Sequence, residues 1–411
     1  MEGVRRRLAA RLCLCLAALL PALRARALDP RHEYRTLLTP HFRIHFPDGG
    51  YRFALRAARA LEEAHRLLVP HLGHVPWRPT EVVLTDDTDS ANGSATATFR
   101  PLIRGFMAPP EATSSLGHYD DFVWLLMLHE YVHILHLDTT SDLPWLGNQI
   151  FGHVFAPNGV QPLWVVEGLA TYYESRLTGG GRNDSPFVDM FLRAQVAEGG
   201  LWNADRISTA SPVQWPGGHG RYFYGGRLLA EITARHGPAA PFRMSHDYGG
   251  RALPYAVNVS TAAALGEPMQ PLFEAWRDAE TQRHRRTLDE IEAAGIVEGR
   301  RLTHLGREVH APRWLDRAHL LFYADDGVRA PGLFALSLAG AKPSEPRRIH
   351  LHYAGGRFDV ARGIAVYQAV ETVDRHQSHA DLWAVDVAPG RGEVVQAEVD
   401  LGQGPMRVKV R

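Results

Sequence analysis

His129-Glu130-Tyr131-Val132-His133 places two imidazoles four residues apart, with a carboxylate directly after the first. On an α-helix four residues turn through about 400°, so both rings face one side and can grip a single metal ion. Glu130, one step round, reaches a water on that ion and not the ion itself, where a general base must stand. With 22 His in 411 residues and an equal number of Glu, chance gives such a pentad about 0.06 times per chain. The bland alternative is a pair of helix histidines beside a surface glutamate. It fits poorly, because Val123, Leu125, Leu126, Leu128, Ile134 and Leu135 make this segment apolar on most sides. Ionisable groups in such a helix need partners.

A second motif begins 31 residues after His133: Trp164-Val165-Val166-Glu167-Gly168-Leu169-Ala170-Thr171-Tyr172. It matches W-x-x-E-G-x-A-x-Y, and together with the pentad it makes the chain resemble the gluzincin zinc metallopeptidases. The resemblance implies His129, His133 and Glu167 as Zn2+ ligands, with Glu130 as general base. Catalytic zinc takes three protein ligands and keeps one position open, and two imidazoles with a carboxylate suit it. Gly168 and Ala170 are small enough to let this second helix approach the metal helix. The competing metzincin pattern fails, since His136 and Thr139 stand at its glycine and third-ligand positions. His136 is therefore expected in the core or beside the site. Glu174, two turns after Glu167, is either a partner for a zinc histidine or a solvated glutamate.

Tyr222-Phe223-Tyr224-Gly225 resembles the Y-x-x-G turn with which related zinc aminopeptidases offer a tyrosine to the oxyanion. Tyr222 is thus expected to act in catalysis, with Tyr224 in reserve and aromatic packing as the alternative for both. His219 and Arg221 are further donors nearby. Gly105-Phe106-Met107-Ala108-Pro109 stands where those enzymes carry G-x-M-E-N, and Ala108 takes the place of the amine-binding glutamate. That departure favours an endopeptidase over an aminopeptidase. The stretch 28–300 as a whole is similar to the peptidase MA-like domain.

These groups need rigid supports. Alternation and helical spacing predict strands over 42–46, 81–85 and 99–106, and helices over 53–68, 122–137, 165–176, 222–236 and 271–294. Residues 86–95 are small and polar and read as a loop. Past residue 300 the texture changes to short β-runs between Gly, Pro and Asp turns. There an imperfect repeat runs at an offset of 44 residues for Tyr323/Tyr367 and 49 for Phe334/Trp383. This resembles the TolB-like propeller of the bacterial envelope. The expectation is an α+β fold, with a gluzincin-like domain over 28–300 and an all-β partial propeller of about two blades over 301–411.

Residues 1–27 read as a signal peptide: Arg5-Arg6-Arg7, an apolar run from Leu12 to Leu20, then Ala25-Arg26-Ala27. Cys13 and Cys15 both lie inside it, so no disulfide framework is expected. The chain carries 45 Lys+Arg against 45 Asp+Glu, and six of those arginines and one glutamate precede residue 28, which leaves 39 against 44, or −5. A mildly acidic remainder offers no footprint for nucleic acid, and no later stretch is long enough for a membrane span. The expectation is a periplasmic or secreted zinc metallopeptidase acting on peptide or protein, with an envelope protein as partner through the propeller. The alternative is a catalytically silent zinc-containing scaffold.

Overall fold

The computed structural model describes residues 32–110, 114–208, 218–253, 255–306, 308–352, 357–373 and 377–387, with short strands at 399–400 and 405–406. The leader expected over 1–27, with both cysteines, lies outside the described residues. The chain opens with β1 (Tyr34–Leu38), β2 (Phe42–Pro47), helix α1 (Tyr51–Leu72), β3 (Thr80–Thr85), β4 (Gly93–Thr96) and β5 (Leu102–Phe106). These strands form one sheet in the order β1-β2-β3-β5-β4. The inner strands β2, β3 and β5 run parallel, and β1 and β4 close the two edges antiparallel. Helix α1 makes the crossover from β2 to β3. It buries Ala54, Ala57, Ala58, Leu61, Ala64 and Leu68, a face of mostly small side chains at helical spacing.

One edge differs from the sequence reading. Leu102–Phe106 is an interior strand, and the edge is Gly93–Thr96, whose first three residues fall in the stretch read as a loop. Gly-Ser-Ala-Thr has no apolar alternation to reveal a strand. Its pairing with β5, Gly93 opposite Gly105 and Thr96 opposite Leu102, is what makes it one.

Helix α2 (Phe122–Asp138) follows, and the Asp121 carboxylate caps it by accepting from the Val123 and Trp124 N–H groups at 2.9 and 3.2 Å. It is buried nearly all round, which explains why its apolar residues show no single face. Then come α3 (Asp142–Phe151), α4 (Leu163–Leu177), α5 (Pro186–Ala197), α6 (Ala204–Ser208), α7 (Gly220–His236), α8 (Ala240–Gly249), α9 (Val257–Leu265) and α10 (Met269–Ala293). No described helix is long and apolar enough to cross a membrane.

Helices α4 and α7 cross backbone to backbone. A Cβ on Gly168 would stand 2.5 Å from the Gly225 carbonyl carbon, and one on Gly225 would stand 2.1 Å from the Trp164 carbonyl oxygen. The small residue at 168 therefore serves the contact with α7, not the expected approach to the metal helix. Asp189 of α5, Arg227 of α7 and Glu280 and Arg283 of α10 tie the outer helices together by ion pairs of 2.7 to 3.3 Å.

Beyond α10, β6 (Glu308–Trp314), β7 (His319–Asp325), β8 (Gly332–Ser337) and β9 (Arg347–Leu351) form a four-stranded antiparallel meander. A three-stranded antiparallel sheet follows in β10 (Phe358–Ala361), β11 (Ile364–Val373) and β12 (Gln377–Asp386). Tyr323 and Tyr367, the repeat pair, lie on β7 and β11 and share one apolar cluster with Leu333, Phe358 and Trp383. Among the described residues the two sheets close no ring, so no complete propeller is formed.

Gly225→Ala should cost about 3 kcal/mol of stability, because the added methyl meets backbone that cannot yield without parting the helices. Thermal or urea unfolding measures it. A variant as stable as the parent would mean that this crossing does not hold the helices.

Candidate metal centre

Helix α2 supplies His129, Glu130 and His133, α4 supplies Glu167 and Glu174, and the first turn of α7 supplies Tyr222. The structure brings the three expected ligands together. His129 Nε2 and His133 Nε2 are 3.2 Å apart, and Glu167 Oε2 lies 3.5 and 3.2 Å from them. Metal–ligand bonds of about 2.0–2.1 Å in a tetrahedral site separate the donors by roughly 3.3 Å. Two imidazole nitrogens facing each other cannot both be satisfied without a proton or a cation between them. Donor chemistry and spacing together allow the group to hold a metal ion.

Electrostatics agree with this. Burial alone would lower His129, but the carboxylates of Glu167 and Glu174 outweigh it and push the imidazole up to about 9. Burial pushes Glu167 up, and hydrogen bonds from both imidazoles overcome it and hold the carboxyl well below its ordinary range. The cluster stabilises positive charge at its centre.

Glu174 is fully buried, with Oε2 2.8 Å from His129 Nδ1. An N–H donated there leaves the His129 Nε2 lone pair facing Glu167 and His133. The other oxygen, Oε1, accepts from the Arg182 backbone N–H at 3.0 Å and lies 3.1 Å from its Nε. The same guanidinium sits 4.4 Å over the Tyr222 ring. Arg182 belongs to no motif, and sequence reasoning did not single it out. The only signal is the run Gly179-Gly180-Gly181 ahead of it, and Gly181, at φ 103°, turns the chain back against Ser175.

Glu130 is buried, and burial raises its carboxyl above the ordinary range against the pull of His133 and His129. Gly93 of the edge strand covers it: a Cβ there would stand 2.5 Å from Glu130 Oε1. Tyr222 lies beside the cluster, its ring centroid 6.3 Å from that of His129. It sits in the first turn of α7, within the helix expected over 222–236. Tyr224 points away into the core, donating to Gln195 and accepting from the Trp202 N–H at 2.9 Å. Arg221 approaches the Tyr222 ring at 5.1 Å, and His219 stacks on Phe223. His136 is buried against Ser245 Oγ at 2.7 Å, outside the triad.

Gly105 is interior to the sheet, and it is Gly93 of β4 that lies against Glu130.

No family model matches the chain, and no curated protein matches it. Among solved structures it is similar to aminopeptidase A of Legionella pneumophila bound to aspartic acid (TM-score 0.36, 16% identity, 60% of this chain and 28% of that one). It is also similar to a mutant M1 zinc metallopeptidase of Deinococcus radiodurans (0.33, 17%, 60% and 52%). An aminopeptidase N family protein of Idiomarina loihiensis follows at 0.27 and 12% identity, over 61% of this chain and 42% of that one. The chain spans 28% to 52% of the length of these proteins.

Glu174→Gln keeps the shape and removes the charge behind His129. Metal affinity should fall about 10- to 100-fold, read by competition with a chelator. Undiminished affinity would show that Glu174 does not support the site.

Proposed function

We propose that the chain is an exported zinc metallopeptidase that cuts within peptide chains. What carries this is three donor atoms at the spacing of a tetrahedral site, with Glu130 next in the helix and outside the donor set. His129, His133 and Glu167 hold Zn2+, which when bound lowers the pKa of a coordinated water towards 7 and polarises the scissile carbonyl. Glu130 takes the proton of the attacking water and delivers it to the leaving amine. Its burial, which raises its affinity for a proton, suits it to take one from that water. The Tyr222 hydroxyl, a phenol whose pKa burial raises further, donates to the carbonyl oxygen as negative charge gathers there. Edge strand β4 pairs with the substrate backbone. Its residues, Gly93, Ser94, Ala95 and Thr96, carry no carboxylate to anchor a free amine, which supports endopeptidase action.

Export follows from the pattern of residues 5–27. In this proposal the C-terminal sheets act as a partial TolB-like propeller that meets an envelope protein.

Glu130→Gln should retain one zinc per chain and lose peptide hydrolysis by about 10²- to 10⁴-fold. Turnover at the parent rate would remove Glu130 from its role. His133→Ala should lose metal and activity together, and a full complement of zinc in that variant would show the ligand set to be wrong. Digestion of a mixed peptide library with and without chelator tests the whole proposal. Zinc-loaded protein that cleaves nothing would mark it as the silent scaffold.

A further inference from the structure

The second sheet of the C-terminal region reaches back to the strand that covers Glu130. β12 is the outer strand of its sheet, and its free edge meets the loop between β3 and β4. The Ser378 N–H donates to the Asp87 carbonyl at 2.8 Å, and the Asp89 N–H donates to the Ser378 carbonyl at 3.2 Å. The Ala380 N–H donates to Asp89 Oδ2 at 2.7 Å, with His379 Nδ1 3.7 Å from Asp89 Oδ1. Between Thr85 and Asn92, among the described residues, the hydrogen bonds that leave the loop all go to β12. The remaining one is internal, from the Ser90 N–H to Thr88 Oγ1.

Four residues after Asp89 comes Gly93, whose backbone lies against Glu130 Oε1 and Leu126 Cδ1 with no room for even a methyl group. The loop itself is Asp-Asp-Thr-Asp-Ser-Ala, with no large apolar side chain to anchor it. A backbone that polar settles in one conformation only if something else takes up its hydrogen bonds.

We infer that β12 is a positioning element for the catalytic centre: by pairing with residues 87–89 it fixes edge strand β4 over Glu130. This rests on the peptidase reading for its catalytic consequence, and on geometry alone for the coupling. The C-terminal sheets thereby belong to the working site, since the strand offered to substrate and the roof over the general base are one segment. Its displacement would alter both how peptide is held and where Glu130 points.

Proline tests this cleanly. Ser378 and Ala380 turn their N–H groups away from β11, so Ser378→Pro with Ala380→Pro removes two bonds to the loop and leaves the β11–β12 ladder intact. Asp89→Ala removes the side-chain acceptor from the other side. Leu382→Pro, the next position on the same edge, is the control. In the full-length zinc-loaded protein, the double proline variant and Asp89→Ala should keep zinc stoichiometry while kcat/KM on a peptide substrate falls at least tenfold. Amide hydrogen exchange across residues 86–96 should quicken at least tenfold, and Leu382→Pro should match the parent in both measurements.

Unchanged exchange in the double variant would overturn the inference, as would faster exchange with undiminished kcat/KM. An equal loss in Leu382→Pro would assign the effect to the sheet as a whole and overturn it too. If the parent protein cleaves no peptide, the proposed function fails. Exchange at residues 93–96 then decides the coupling by itself: quickening there upholds it, and parental rates refute it.

Discussion

Two imidazole nitrogens and a carboxylate oxygen crowded within 3.5 Å, in a place nearly closed to water, are tolerable only if positive charge sits among them. Much of the surrounding fold can be understood as meeting that constraint. Helix α2 is buried on almost every side, so its polar groups must be satisfied by neighbouring helices. Glu174 takes the outer nitrogen of His129, and Arg182 in turn neutralises Glu174. The chain of contacts ends at Tyr222, under the same guanidinium. The Gly168–Gly225 crossing brings α7 close enough for that tyrosine to stand beside the metal ligands.

The sequence showed the centre of this arrangement better than its frame. His129, Glu130 and His133 are legible because helical geometry alone dictates where they point. Glu167 is legible through its motif, whereas the two-turn spacing of Glu174 leaves both a partner for a zinc histidine and a solvated glutamate open. Arg182 was not legible, since its position depends on a glycine turn folding back on α4, and such a return leaves no periodic trace. The edge strand was missed for a related reason: Gly-Ser-Ala-Thr becomes a strand by pairing with β5, and pairing partners are not written in local pattern. Tyr222 stands ahead of Tyr224 by its motif, and two positions along the helix turn the first ring to His129 and the second into the core. Helices α4, α7 and α10 were found by their spacing, whereas short or partly exposed ones such as α3 and α8 were not.

The C-terminal sheets show the same limit. Their repeat is visible as spaced aromatic residues: Tyr323, Tyr367 and Trp383 share one cluster, whereas Phe334, the counterpart of Trp383, packs in another with Phe322. What the repeat could not reveal is that the outer edge of β12 is occupied by a loop some 290 positions earlier in the chain. An unpaired edge strand is a hazard for aggregation, and covering it is one of the ways proteins deal with it. Here the cover is the loop that leads into β4, so a single set of hydrogen bonds protects one sheet and steadies the edge of another.

That double use bears on how substrate would be held. A peptide laid along β4 gains backbone hydrogen bonds that are indifferent to where the chain ends. To bind a terminal amine the protein would need a free carboxylate at one end of that strand. β4 has none, and Asp89, in the loop just ahead of it, has its carboxylate turned to the Ala380 N–H. That bond takes one carboxylate oxygen and holds the group toward β12. On the proposed endopeptidase reading, recognition along β4 would then come from backbone pairing.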